Sequence, residues 1–205
     1  MPDGIHVIGT SRTGVTPELE IMRADHIWRR MDELLRVAGF QRWTYSAAPV
    51  CPTPATESLR VTTYPGGHVR RCVEQRLLPF CPGLSFAFRC PHPTPFKVVR
   101  DVTPMTRQFS ALLRLNREFS VTRGMVIPLR SVFGFTGVLA ISFEGTDGSL
   151  RDTWQERREA LLPQIVQQHE DTLARHARLF TRDALPALSL RHREVVSLIA
   201  AKLIF

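Results

Sequence analysis

The chain has 205 residues, enough for one domain with its own core and the beginning of a second. Its hydrophobic share of 43% is ordinary for a globular protein, and no run of about eighteen apolar residues occurs, which excludes a helical membrane span. The first residues, MPDGIHVIGTSRTG, have neither the basic nor the apolar stretch of a secretory signal, so the expected location is cytoplasmic, with no membrane partner.

The formal net charge is +8 at pH 7, a balance that points to an anionic partner, nucleic acid first. Of the 27 cationic residues only Lys97 and Lys202 are lysine, and the arginines are scattered from Arg12 to Arg193. Charge spread in this way describes a solvated face equally well. Four cysteines (Cys51, Cys72, Cys81, Cys90) without a CxxC pair are no disulfide scaffold.

In chain order, residues 1–16 read as a loose leader. Ile21, Met22, Ile27, Met31, Leu34 and Leu35 recur at three- and four-residue spacing, which predicts an amphipathic helix over Glu18–Val37, ended by Gly39. Phe40–Ala48 reads as a strand, Pro49, Pro52 and Pro54 as a loop, and Leu59–Tyr64 as a second strand. Pro65 then opens a helix that runs to Leu77 or Leu78. Five prolines between Pro79 and Pro95 predict an irregular stretch, followed by a short strand near Lys97–Arg100. Thr106–Phe119 has helical spacing again, and Met125–Leu129 with Phe135–Phe143 reads as a hairpin. A long helix from about Asp152 to Phe180 carries Leu161, Leu162, Ile165 and Val166 on one stripe, which suits dimerisation or packing on its own sheet. A loop with Pro186 precedes a last helix, Arg191–Leu203. Strand pairs with helices between them predict an α/β fold, an α-β-α sandwich. Its central antiparallel sheet has about five strands with helices on both faces, plus a C-terminal helix.

Three segments carry a resemblance. Thr63-Tyr-Pro-Gly-Gly-His-Val-Arg-Arg-Cys72, followed by Cys81-Pro82, resembles the pattern N-Y-P-x-x-W-x-x-x-Y with a later Asp-Pro. Pro95-Phe-Lys-Val98 resembles P-[FI]-x-W, and Gly124-Met-Val-Ile-Pro-Leu129 resembles G-x-x-x-P-[LI]. In this order they are similar to the autoinducer-binding domain of LuxR-type quorum-sensing regulators, over residues 17–180. Leu188-Ser-Leu-Arg-His-Arg-Glu-Val-Val196 resembles the opening of that family's helix-turn-helix, which would occupy 186–205. The resemblance implies a transcription regulator and not an enzyme. It implies homodimers or heterodimers with a LuxR-type partner, and DNA contact only through a complete helix-turn-helix. On that resemblance the recognition helix would fall beyond Phe205, and Arg191 and Arg193 are expected to reach phosphates at most.

The same resemblance implies a ligand pocket for an acyl-homoserine lactone or another small apolar molecule, with no metal or other cofactor. Carried over residue by residue, its walls fall at Tyr45, Tyr64, His68, Cys72, Cys81, Val98 and Gly124. His68 stands where the family has a donating Trp, Cys72 where it has Tyr, Cys81 where it has the amide-accepting Asp, and Val98 where it has a second Trp. A thiol replaces a carboxylate poorly as an acceptor, so tight binding of the usual lactone is not expected. His68, Cys72 and Cys81 could also form a zinc set or a thiol pair, against the plainer reading of the cysteines as small buried hydrophobes. Outside the family, the alternatives are a small-molecule module or enzyme on an α/β sandwich, and an inactive gene remnant. No Gly-rich phosphate loop, HExxH or GxSxG supports the enzyme.

Overall fold

The computed structural model describes residues 5–10, 26–49, 58–131, 135–144 and 146–184. Residues 18–25 of the expected first helix, the expected helix over 191–203, the loop with Pro186 and the whole segment 186–205 lie outside the described residues.

Six strands form one antiparallel sheet in the order β1-β3-β2-β6-β5-β4. They are β1 (His6–Thr10), β2 (Arg42–Pro49), β3 (Ser58–Thr62), β4 (Thr94–Pro95), β5 (Gly124–Arg130) and β6 (Phe135–Ser142). The expected sheet of about five is met by five strands of five or more residues and the two-residue β4 at the edge. The helices are α1 (His26–Val37), α2 (Gly66–Glu74), α3 (Pro82–Ala87), α4 (Phe96–Asp101), α5 (Arg107–Glu118) and α6 (Asp147–Ala184).

Period-two alternation decides what each face of the sheet holds. Odd-numbered side chains point to one layer. Trp43, Tyr45 and Ala47 of β2, Leu59 and Val61 of β3, Met125, Ile127 and Leu129 of β5, and Leu139 and Ile141 of β6 are buried in one core with α1 and α6. Even-numbered side chains, among them Thr44, Arg60, Thr62, Val126 and Val138, point to the opposite layer, which α2 to α5 cover. The register keeps the two sets in step across strands, with Tyr45 opposite Val61 on one side and Leu139 on the other. This is the expected sandwich with helices on both faces.

Three local readings change. Residues 6–10, read as part of a leader, pair antiparallel with β3, and Ile8 is 1% exposed on the covered face. Between Pro79 and Pro95 the chain is largely ordered. A 3-10 turn covers Leu78–Phe80 and α3 begins at Pro82, because a proline in the first turn gives up an N–H that has no helical partner there. Lys97–Arg100 lies in α4 and not in a strand, and pairing with β5 is confined to Thr94 and Pro95. A proline on an edge strand removes no needed ladder bond.

Gly39 ends α1 as expected. At φ +90 it sits in the left-handed region, donating to Arg36 O while Phe40 N donates to Leu35 O, and Phe40 and Leu35 are buried in the same core. In α6, Leu161 and Ile165 of the expected stripe pack on the sheet, Leu162 is half-buried and Val166 is exposed.

The α6 layer holds one buried imidazole. His169 is fully buried, its Nδ1 2.8 Å from the Tyr45 hydroxyl, and its Nε2 has no partner. Gly137 makes room for it, since a Cβ there would stand 2.5 Å from His169 Cε1. Desolvation lowers the His169 pKa from the usual 6.5 of histidine to about 4, while burial and the nearby Glu170 hold the Tyr45 phenol well above its ordinary value. Between pH 6.5 and about 4 the unfolded chain therefore binds the proton that the folded chain refuses. This contribution to stability is complete above pH 6.5 and declines as the pH falls through that window. Urea unfolding at pH 7 and pH 5 is expected to show the loss, and His169→Gln to flatten it; an unchanged slope in the variant would refute the assignment.

Candidate ligand-binding cavity

Between the even-numbered face of the sheet and α2 to α5 lies a cavity of about 150 Å³. Thr44, Ser46, Arg60 and Thr62 form a polar floor, and Val126, Val138 and Ala140 an apolar one. The roof is apolar where Leu84, Val99, Phe109 and Leu112 close it. Such a surface, one end apolar and the other with a few fixed polar groups, suits a small amphiphilic molecule.

The Thr63–Cys72 motif reaches the cavity through its local structure. Thr63 is tied to β2 by a reciprocal pair: its N–H donates to Trp43 O and its Oγ1 accepts from Trp43 N, each at 2.9 Å. That bond ends β3 beside β2 and turns Tyr64 inward, where Pro65 stands as the N-cap of α2. His68 and Cys72, four residues apart, then share the inner face of α2. Cys81 is the N-cap of α3, with Pro82 as its first residue.

The polar groups on this wall largely bond to one another. The Tyr64 hydroxyl and Ser142 Oγ are 2.9 Å apart, and burial pushes the Tyr64 pKa up to about 12. His68 Nε2 donates to Asn116 Oδ1 at 2.8 Å, and its ring stands edge-on to Tyr64 and Phe119. Burial lowers the His68 pKa, which keeps the ring neutral at pH 7. The Cys72 Sγ lies 3.8 Å from His68 Nδ1, and burial pushes the thiol pKa up to about 12, so Cys72 is an inert thiol and not a nucleophile. Among the described residues no three His, Cys, Asp or Glu side chains are placed to share a metal ion.

Of the seven residues singled out in the sequence, Tyr64, His68, Cys72 and Cys81 line this one cavity. Tyr45 does not: as an odd residue of β2 it faces α6, in contact with His169. Val98 is 46% exposed on the outer side of α4, and its neighbour Val99 lines the cavity instead. Gly124 sits one layer behind. A Cβ there would stand 2.1 Å from Ile141 O and 2.7 Å from the Phe96 ring, so the glycine lets Phe96 seat against the sheet and reach the cavity wall. Sequence reasoning missed Arg60, Ser46 and Asn116. Arg60 was legible as the polar residue alternating with Leu59 and Val61, but on a sheet with one wet face that position would be solvent.

Residues 23–169 match the family described as the autoinducer binding domain. Among solved structures, SdiA of Escherichia coli matches with a TM-score of 0.60 at 15% identity, over 89% of this chain and 74% of that one. SdiA in complex with octanoyl-rac-glycerol matches at 0.56 and 17%, over 89% and 72%. CepR2 of Burkholderia cenocepacia, an N-acylhomoserine-lactone-dependent LuxR-family transcription factor, matches at 0.54 and 16%, over 72% and 85%. No curated protein sequence matches. The fold is that of an autoinducer-binding domain. The chain belongs to the autoinducer-binding-domain family of LuxR-type regulators, a sensor family and not an enzyme family. Among the described residues no helix is long and apolar enough to cross a membrane.

Proposed function

We propose that this chain is the sensing part of a LuxR-type regulator whose cavity has departed from the usual acyl-homoserine lactone and takes another small amphiphile. The observation that supports it is the convergence of Tyr64, His68, Cys72 and Cys81 on one cavity, with the Tyr64 hydroxyl engaged by Ser142 and the His68 imidazole by Asn116. The imidazole at the Trp position already donates its Nε2–H to Asn116 Oδ1. The thiols at the Tyr and Asp positions are weak partners for a carbonyl and an amide N–H. Losing a charged acceptor and a hydroxyl donor removes roughly 2–4 kcal/mol, or about one and a half to three orders of magnitude in affinity for the lactone.

Thermal melting with ligand panels tests both halves of the reading. A ligand at a hundred times its dissociation constant adds about 2.7 kcal/mol, a shift of several degrees for a domain of this size. Acyl amphiphiles are expected to produce that shift, and acyl-homoserine lactones to need about a hundredfold more ligand. A lactone acting at the lowest concentration of the series would refute the departed pocket. The absence of any shift across the amphiphiles would refute the sensor.

A further inference from the structure

The polar floor contains one feature that the family resemblance did not mark. Arg60 projects from β3 into the cavity, where its Nε donates to Ser46 Oγ at 3.0 Å and its Nη2 to Leu78 O at 3.4 Å. Both partners are neutral. A guanidinium has five N–H donors, so three remain, and among the described residues none of them meets a carboxylate. Among the described residues Arg60 has no ion-pair partner, and no aspartate or glutamate lines the cavity, whereas Arg100 and Arg117 do. Cys81 occupies the wall position at which the resemblance implies an aspartate.

This wall treats neutral and anionic ligands differently. A neutral amphiphile that fills the cavity strips water from Arg60 without supplying a countercharge, which is a net cost. A carboxylate in the same place accepts the free N–H groups in a charge-assisted and even bidentate pair. Resting on the sensor reading above, we propose that the ligand of this cavity is an amphiphilic carboxylate: an apolar tail against Val126, Val138, Phe109 and Leu112, with its carboxylate on Arg60. A free acyl carboxylate and an acyl-homoserine whose lactone ring has opened present the same head.

The test uses the full chain and four probes in titration calorimetry: octanoate, ring-opened N-octanoyl-homoserine, the closed N-octanoyl-homoserine lactone, and methyl octanoate. Each anion is expected to bind at least about tenfold more tightly than its neutral counterpart. Comparing the two anions shows which source the cavity prefers. Arg60→Met is expected to abolish the preference, and Arg60→Lys to retain part of it, with circular dichroism confirming that each variant is folded. Should Arg60→Met fail to fold, the salt dependence of octanoate binding by the unaltered chain serves instead, since only an ion pair weakens with added salt while methyl octanoate stays level. Neutral probes that bind as tightly as the anions, or an anion preference that survives Arg60→Met, overturn the proposal and leave the sensor reading standing. Binding of none of the four overturns both.

Discussion

Gly124→Ala is expected to destabilise the chain by about 3 kcal/mol, at the upper end of what overpacking a core costs. Two contacts set that size. The added methyl would lie 2.1 Å from the carbonyl oxygen of Ile141 and 2.7 Å from the Phe96 ring. A ring can swing away, but the Ile141 carbonyl belongs to β6, which is paired with β5 along its whole length, with Gly124 opposite Ser142. Relief therefore requires parting β5 from β6. In urea unfolding the midpoint should fall with little change in slope, and melting should drop by roughly 6–12 °C for a domain of this size. The Gly124→Ala/Phe96→Ala double variant should recover none of this loss, because the carbonyl contact remains and a cavity is added. A Gly124→Ala protein as stable as the parent would show that β5 and β6 are not paired as described.

Trp43→Ala is expected to cost about 3–5 kcal/mol, the range for removing a large aromatic side chain from a packed core. Trp43 has no exposed surface and stands at the middle of the α1–sheet–α6 layer. Its ring lies 6.3 Å from that of Trp28, and its indole N–H donates to Asp32 Oδ1 at 3.0 Å, a carboxylate also held by Arg36 at 3.1 Å. Trp43→Phe should keep most of the packing and lose chiefly the hydrogen bond, about 1.5 kcal/mol or more for a bond to a charged group. Comparing the two in urea separates packing from polar contact. Because Trp43 points away from the cavity, neither variant should change ligand affinity per folded molecule, and a specific loss of affinity would contradict the placement of the two faces.

Of the four central strands, β2 and β3 were readable because their residues alternate, and β5 and β6 because two apolar runs flank the short segment Arg130–Gly134. Trp-Thr-Tyr-Ser-Ala in β2 and Leu-Arg-Val-Thr in β3 carry a period of two that only a strand can use. β1 was not readable, since His-Val-Ile-Gly-Thr is short and lacks that contrast. The Pro79–Pro95 stretch misled because a proline breaks a helix only in its interior, and Pro79 and Pro82 fall in first turns. Val98 and Val99 exchanged roles for a geometric reason. A strand sends two neighbours to opposite faces, whereas the turn of α4 brings Val99 inward and leaves Val98 outside. Tyr45 shows what alternation cannot supply. With helices on both faces, parity separates Tyr45 from Thr44 and Ser46 but does not say which side is hollow. The pocket motif was legible in Tyr64, His68, Cys72 and Cys81 because the short α2 and the cap of α3 fix those spacings locally.

The sheet divides each strand between two masters, residue by residue. Exchanges at cavity-facing positions such as Thr44, Ser46 and Arg60 can therefore alter the cavity wall, while the intervening positions preserve the scaffold. His68, Cys72 and Cys81 sit on elements laid over one side, so even their replacement leaves the aromatic layer on the far side untouched. Divergence in specificity and persistence of shape are, in this architecture, mechanically uncoupled.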